Sequence, residues 1–191
     1  DSLADALIPT LVNHPRETAV IVHPNNVSMP VLGRITPYLG ALPLPDDRGA
    51  MKHFLEALTW HTDCGDCIMI YPEAHIWPFY TGIRPFPDTS FRYPVQQKLP
   101  VFCLTNTYQH RGKSHIPQIV TYLDGPFYPD AELPAKLQKT QLRDQVYEAM
   151  GKRAQNSNME MIRYIKKDTD REKSFLSLIH ISEPTRHAQI S

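Results

Sequence analysis

Apolar positions along this chain alternate between two periods, and the alternation predicts its elements. Residues 5–13 carry Ala6, Leu7, Ile8, Leu11 and Val12 at helical spacings, with Pro9 in the first turns, where proline is tolerated. Residues 17–23 hold the continuous run Ala19-Val20-Ile21-Val22, a strand signal. Ser28 is placed to cap a helix over residues 28–38, with Val31, Leu32, Ile35 and Leu39 forming a stripe that Gly40 stops. A short strand over 41–44 precedes an amphipathic helix over 47–60, with Met51, Phe54, Leu55 and Leu58 on one face.

A strand over 66–71 leads into a proline- and aromatic-rich loop, 77–90, long enough to suggest a function of its own. A short helix over 91–97, strands over 100–107 and 118–124, and a helix over 133–150 complete the pattern. That last helix has Leu137, Leu142, Val146 and Met150 spaced for a core face. Alternating strands and helices predict an α/β fold, a mostly parallel central sheet flanked by helices on both faces.

The pattern weakens after Met150, and residues 151–171 are polar and charged. From about Phe175 the chain changes style to Leu-Ser-Leu-Ile-His-Ile-Ser-Glu-Pro-Thr-Arg. This segment resembles translated sequencing-adapter read-through, so roughly the last 17 residues are set apart from the fold expectation. The competing reading is a genuine edge strand over 175–181. The division is therefore a domain over residues 1–167 and, over 168–191, a polar tail running into a segment read as non-native.

Composition narrows the function classes. A chain of 191 residues with 41% hydrophobic and 21% charged residues has enough material for one cored domain. Lys plus Arg number 20 and Asp plus Glu number 20, a balance that argues against a dedicated nucleic-acid binder. Three cysteines make no disulfide framework. Cys64 and Cys67 form one Cys-x-x-Cys, which reads as a turn cysteine followed by a buried strand cysteine in a reducing cytoplasm. A zinc site would need about four ligands. No run of 18 apolar residues is present to cross a membrane.

The chemistry concentrates at Tyr71-Pro72-Glu73-Ala74. A carboxylate just past a buried strand sits at the lip of a sheet, where open α/β folds bind ligands. This block, the apolar strand opened by Leu99-Pro100-Val101-Phe102, and Asp5-Ala6-Leu7-Ile8-Pro9 together resemble the lysophospholipid (1-acyl-glycerol-3-phosphate) acyltransferase-like family, in its bacterial-type branch.

The resemblance covers residues 1–167. It implies the glycerolipid acyltransferase fold and O-acyl transfer from acyl-CoA or acyl carrier protein to a lysophospholipid hydroxyl. No cofactor is implied beyond the donor itself. Asp5 matches the aspartate of the family's His-x-x-x-x-Asp motif, whose histidine would fall immediately before Asp1. On this reading the chain is N-terminally truncated and inactive alone. On residue type alone Asp5 is a helix cap. The dyad reading makes it the group that orients a catalytic base.

Glu73 matches the family's acceptor-binding glutamate. The Gly-Thr-Arg expected after it is Ala74-His75-Ile76 here, so the guanidinium for an acceptor phosphate falls to Arg84 or Arg92 in the following loop. Pro100 matches the fourth-block proline and also suits the start of a strand. Gly40 stands where the second block has its glycine, and it equally suits a helix C-cap. The basic residue expected after it is Asp46, with Arg48 nearby. Trp77-Pro78-Phe79-Tyr80 suits an acyl pocket or membrane surface, or a small aromatic cluster beneath a long loop.

The partners implied are an acyl thioester, a lysophospholipid and a membrane surface at its cytoplasmic face, with peripheral attachment or an anchor upstream. His75 beside Glu73 is too few ligands for a metal. A serine hydrolase would need a Gly-x-Ser-x-Gly elbow, and none is present. The alternative within the same fold is a non-catalytic lipid-binding or interaction module.

Overall fold

The computed structural model describes residues 11–22, 40–45, 47–73, 77–166 and 188–190. The helix expected over 28–38 and most of the one over 5–13 lie outside these residues, as does the alternative strand over 175–181. Residues 11–13 are helical.

Three short strands build a parallel sheet. They are β1 (Thr18–Val22), β2 (Ala41–Pro43) and β3 (Cys67–Met69), in the order β2-β1-β3. Val20 lies opposite Ala41 on one side and Met69 on the other, which fixes the register. Ala19 and Ile21 are buried, and the alternation along β1 shows one face turned to the core at each.

Helix α1 (Arg48–Asp63) links β2 to β3. Its start is fixed by Asp47, whose side chain accepts the Ala50 N–H at 2.8 Å. Phe54 and Leu58 pack with Ile21 and Tyr93, and Met51, Leu55 and Ile68 line the edge of that cluster.

A second body of packing surrounds a hairpin. Strands β4 (Val101–Gln109) and β5 (Gln118–Phe127) pair antiparallel. This corrects the expectation that both belong to one mostly parallel sheet. The connection, residues 110–117, is too short for a parallel crossover, which takes a dozen residues or more. The architecture is mixed α/β with a small three-stranded parallel sheet.

Helix α2 (Arg92–Gln97) follows a 3₁₀ turn at Thr89–Phe91, and Pro94 falls in its first turn, where a missing N–H is harmless. Helix α3 (Ala135–Ala154) covers the inner face of the hairpin. Leu142, Val146 and Met150 recur every fourth residue and pack on Phe86, Phe91 and Cys103. Leu137 departs from the expected stripe and is 52% exposed. It sits five residues before Leu142, about 140° around the helix from that line.

Strand β6 (Tyr164–Lys166) pairs in parallel with β7 (Ala188–Ile190). Among the described residues no helix is long and apolar enough to cross a membrane.

Candidate functional site

All three parallel strands end at one edge of their sheet, the edge where open α/β sheets hold ligands. Four residues past Met69, the Glu73 carboxylate accepts from Arg84 Nε and from the Arg84 backbone N–H, each at 3.2 Å. Arg84 Nη2 also donates to the Glu73 carbonyl at 2.8 Å. The guanidinium carbon lies 4.4 Å from the centroid of the Trp77 ring, a cation–π contact. Charge, planarity and fork geometry are all used, a combination lysine lacks.

This clasp is backed by aromatics. Trp77 stacks on Tyr164 at 5.1 Å, and Tyr80 meets both rings edge-on. The Tyr164 hydroxyl donates to the Pro78 carbonyl at 2.8 Å, and desolvation raises its pKa. Phe79 adopts a left-handed φ of 57° and lies 5.5 Å from Tyr108.

The far end of the loop is pinned as well. Phe86 is buried in the α3 cluster, and its carbonyl accepts from Arg143 at 3.1 Å. Asp88 accepts from Thr140 at 2.7 Å and from Lys139 at 3.0 Å. Those two contacts, Thr140 foremost, hold its carboxyl below the ordinary carboxylate range. The proline-rich loop is therefore clamped at both ends.

The structure brings together two of the sequence-predicted residues, Glu73 and Arg84. Arg92 is engaged elsewhere: Nη2 donates to the Tyr93 hydroxyl at 2.7 Å and contacts Met51 Sδ at 3.8 Å. Pro100 is exposed at the threshold of β4. Asp5 lies outside the described residues.

Gly40 has a local backbone role. Its φ is +75°, its carbonyl accepts the Val20 N–H at 2.7 Å, and a Cβ there would stand 2.6 Å from the Thr18 carbonyl oxygen. Among the described residues no three His, Cys, Asp or Glu side chains are grouped to hold a metal ion.

Sequence reasoning missed a second polar pair. His61 Nδ1 lies 2.9 Å from Asp66 Oδ2, and both side chains are largely buried. The spacing, His-x-x-x-x-Asp, was available in the sequence. Its cause here is helix termination. Gly65 at φ +79° lets the Asp66 N–H bond the His61 carbonyl at 2.9 Å and the Gly65 N–H bond the Thr62 carbonyl at 3.0 Å. That is a Schellman stop, which sets the side chains of His61 and Asp66 against each other. Asp66 immediately precedes β3 and Glu73 follows it, so this pair stands at the amino edge, opposite the Glu73 clasp.

Cys67, expected to be buried in its strand, is exposed at the same edge. It is the first residue of β3, and its Sγ contacts Asn13 Oδ1 at 2.9 Å. Desolvation still raises its pKa.

A scan against protein-family models and searches of curated proteins and of solved structures find no match to this chain.

Proposed function

We propose that residues 1–167 form most of a glycerolipid acyltransferase-like domain, moving a fatty acyl group from acyl-CoA or acyl carrier protein to the hydroxyl of a lysophospholipid such as lysophosphatidic acid. The observation that carries this reading is the Glu73–Arg84 clasp just past the carboxyl end of β3. It supplies a guanidinium beside the family's glutamate although Ala74-His75-Ile76 replaces the usual Gly-Thr-Arg.

In the proposed reaction a histidine immediately upstream of Asp1 takes the acceptor hydroxyl proton, with Asp5 fixing its tautomer. The oxygen attacks the thioester carbonyl carbon. The carbon–sulfur bond breaks, and the thiolate leaves with the proton that the histidine returns. Glu73 and Arg84 position the acceptor at the membrane surface, with the adjoining Trp77–Tyr80 aromatics. Arg92 bonds Tyr93, Pro100 is exposed before β4 and Gly40 serves the sheet backbone, so none of the three is assigned to acceptor binding.

Acceptor and donor kinetics of the parent protein test the assignment. Glu73→Gln raises the KM for lysophosphatidic acid about tenfold or more and leaves the donor KM in place, as lost uniform binding does. An unchanged acceptor KM in a Glu73→Gln protein that melts like the wild type removes Glu73 from acceptor binding.

A further inference from the structure

The end of β5 and the last turns of α3 enclose an open groove of about 670 Å³. None of the described residues of the Glu73–Arg84 loop lines it, and its volume falls in the range of small-molecule sites.

Its lining is rich in charge yet neutral. Arg153 grips Asp124 as a fork, with Nε at 2.9 and 3.0 Å from the two carboxylate oxygens and Nη2 at 2.6 Å. Lys152 Nζ lies 2.7 Å from Glu148 Oε1. The two pairs cancel. The Arg153 guanidinium also rests over the Tyr122 ring at 4.7 Å, so it is fixed from two directions. Its Nη1 donors have no partner among the described residues, and its side chain is 40% exposed.

Asn156 contributes an amide to the same lining, and Tyr128 contributes an aromatic face that is 63% exposed. Each feature narrows the ligand class. An anion gains nothing from a neutral lining that contains two carboxylates. An apolar ligand would strip water from four ions without replacing its hydrogen bonds. A ring carrying adjacent hydroxyls both donates and accepts. It can bond preset planar side chains in pairs and lay its C–H face on an aromatic ring.

We propose that this groove binds a neutral sugar ring, with Arg153, Asp124 and Asn156 bonding neighbouring hydroxyls and Tyr128 stacking on the ring face. The proposal is independent of the acyl-transfer reading.

The test is an NMR titration of the isotopically labelled full chain with methyl glucoside, methyl galactoside, methyl mannoside and N-acetylglucosamine, into the tens of millimolar range where single-ring affinities fall. At least one sugar is expected to give saturable shifts of the Arg153 Nε–H and Asn156 side-chain signals. Tyr128→Ala, an exposed change that leaves the core intact, should weaken that binding about tenfold, the order of one ring contact. Failure of all four sugars to saturate overturns the proposal. So does an unaltered affinity in Tyr128→Ala, or saturation of the same signals by benzoate or inorganic phosphate in place of the sugars.

Discussion

Gly40→Ala separates a backbone role at this position from a ligand role. The glycine adopts φ +75°, and an added Cβ would meet the Thr18 carbonyl oxygen at 2.6 Å. The left-handed conformation costs a non-glycine residue about 1–2 kcal/mol. The clash is with backbone, so no side-chain rotation relieves it. Moving the chain apart stretches the Val20 N–H to Gly40 carbonyl bond, 2.7 Å long, worth about 1 kcal/mol. A stiffer unfolded chain returns about 0.4–1 kcal/mol.

The net expectation is a destabilisation of about 1–2.5 kcal/mol. Urea unfolding followed by circular dichroism reads this as a midpoint lowered by about 0.5–1.3 M, for a slope of about 2 kcal/mol per molar. A midpoint unchanged to within about 0.2 M would refute the backbone argument and return Gly40 to the ligand-contacting residues. With the expected loss, an activity defect in Gly40→Ala reports the sheet, not substrate contact.

Other expectations follow from the same packing. Leu142→Ala, at a site only 1% exposed against Phe86 and Phe91, should cost about 2–5 kcal/mol in urea unfolding, whereas Leu137→Ala should cost far less. Burial pushes the Cys103 thiol from 9.0 up to about 11, aided by the Asp124 charge. A raised folded pKa gives stability that is complete below about pH 9 and lost as pH climbs through 11. Wild type should therefore lose stability relative to Cys103→Ala across that window, and native thiol titration should modify Cys64 and Cys67 while sparing Cys103. Hydrogen bonds from Arg153 hold Asp124 below its ordinary 3.8, so its contribution is present above that value and lost as pH falls below it. Asp124→Asn should flatten the acid limb of a stability–pH curve.

Elements governed by local pattern were legible in the sequence. The Ala19–Val22 run became β1, and the stripe through Phe54 and Leu58 became α1, capped by Asp47. Pairing was less so, because strand signals carry no direction. Even there the shortness of the connection over 110–117 was sufficient to prefer a hairpin. Leu137 was assigned to the core by counting apolar residues, although it falls off the four-residue row of Leu142, Val146 and Met150.

At the site, Glu73 was legible from its place after β3. Which of Arg84 and Arg92 bonds Glu73 was not, since Arg84 is held there by Trp77 and Tyr164, which are brought together only by folding. The His61–Asp66 spacing was visible all along. Only the left-handed Gly65 between them explains it as a helix stop at the edge opposite Glu73.

Acyl transfer itself is the most direct test of the proposed function. The measurement is transfer of labelled acyl groups from acyl-CoA and from acyl carrier protein to lysophosphatidic acid by the parent protein, wild type beside Asp5→Asn. Wild type is expected to make phosphatidic acid, and Asp5→Asn to lose several orders of magnitude of turnover at an unchanged melting temperature, as when a triad aspartate loses its charge. Equal turnover by the two proteins would remove Asp5 from the mechanism. Absence of any transfer by the wild type, with lysophospholipid still bound, would contradict the enzyme assignment and leave a lipid-binding module.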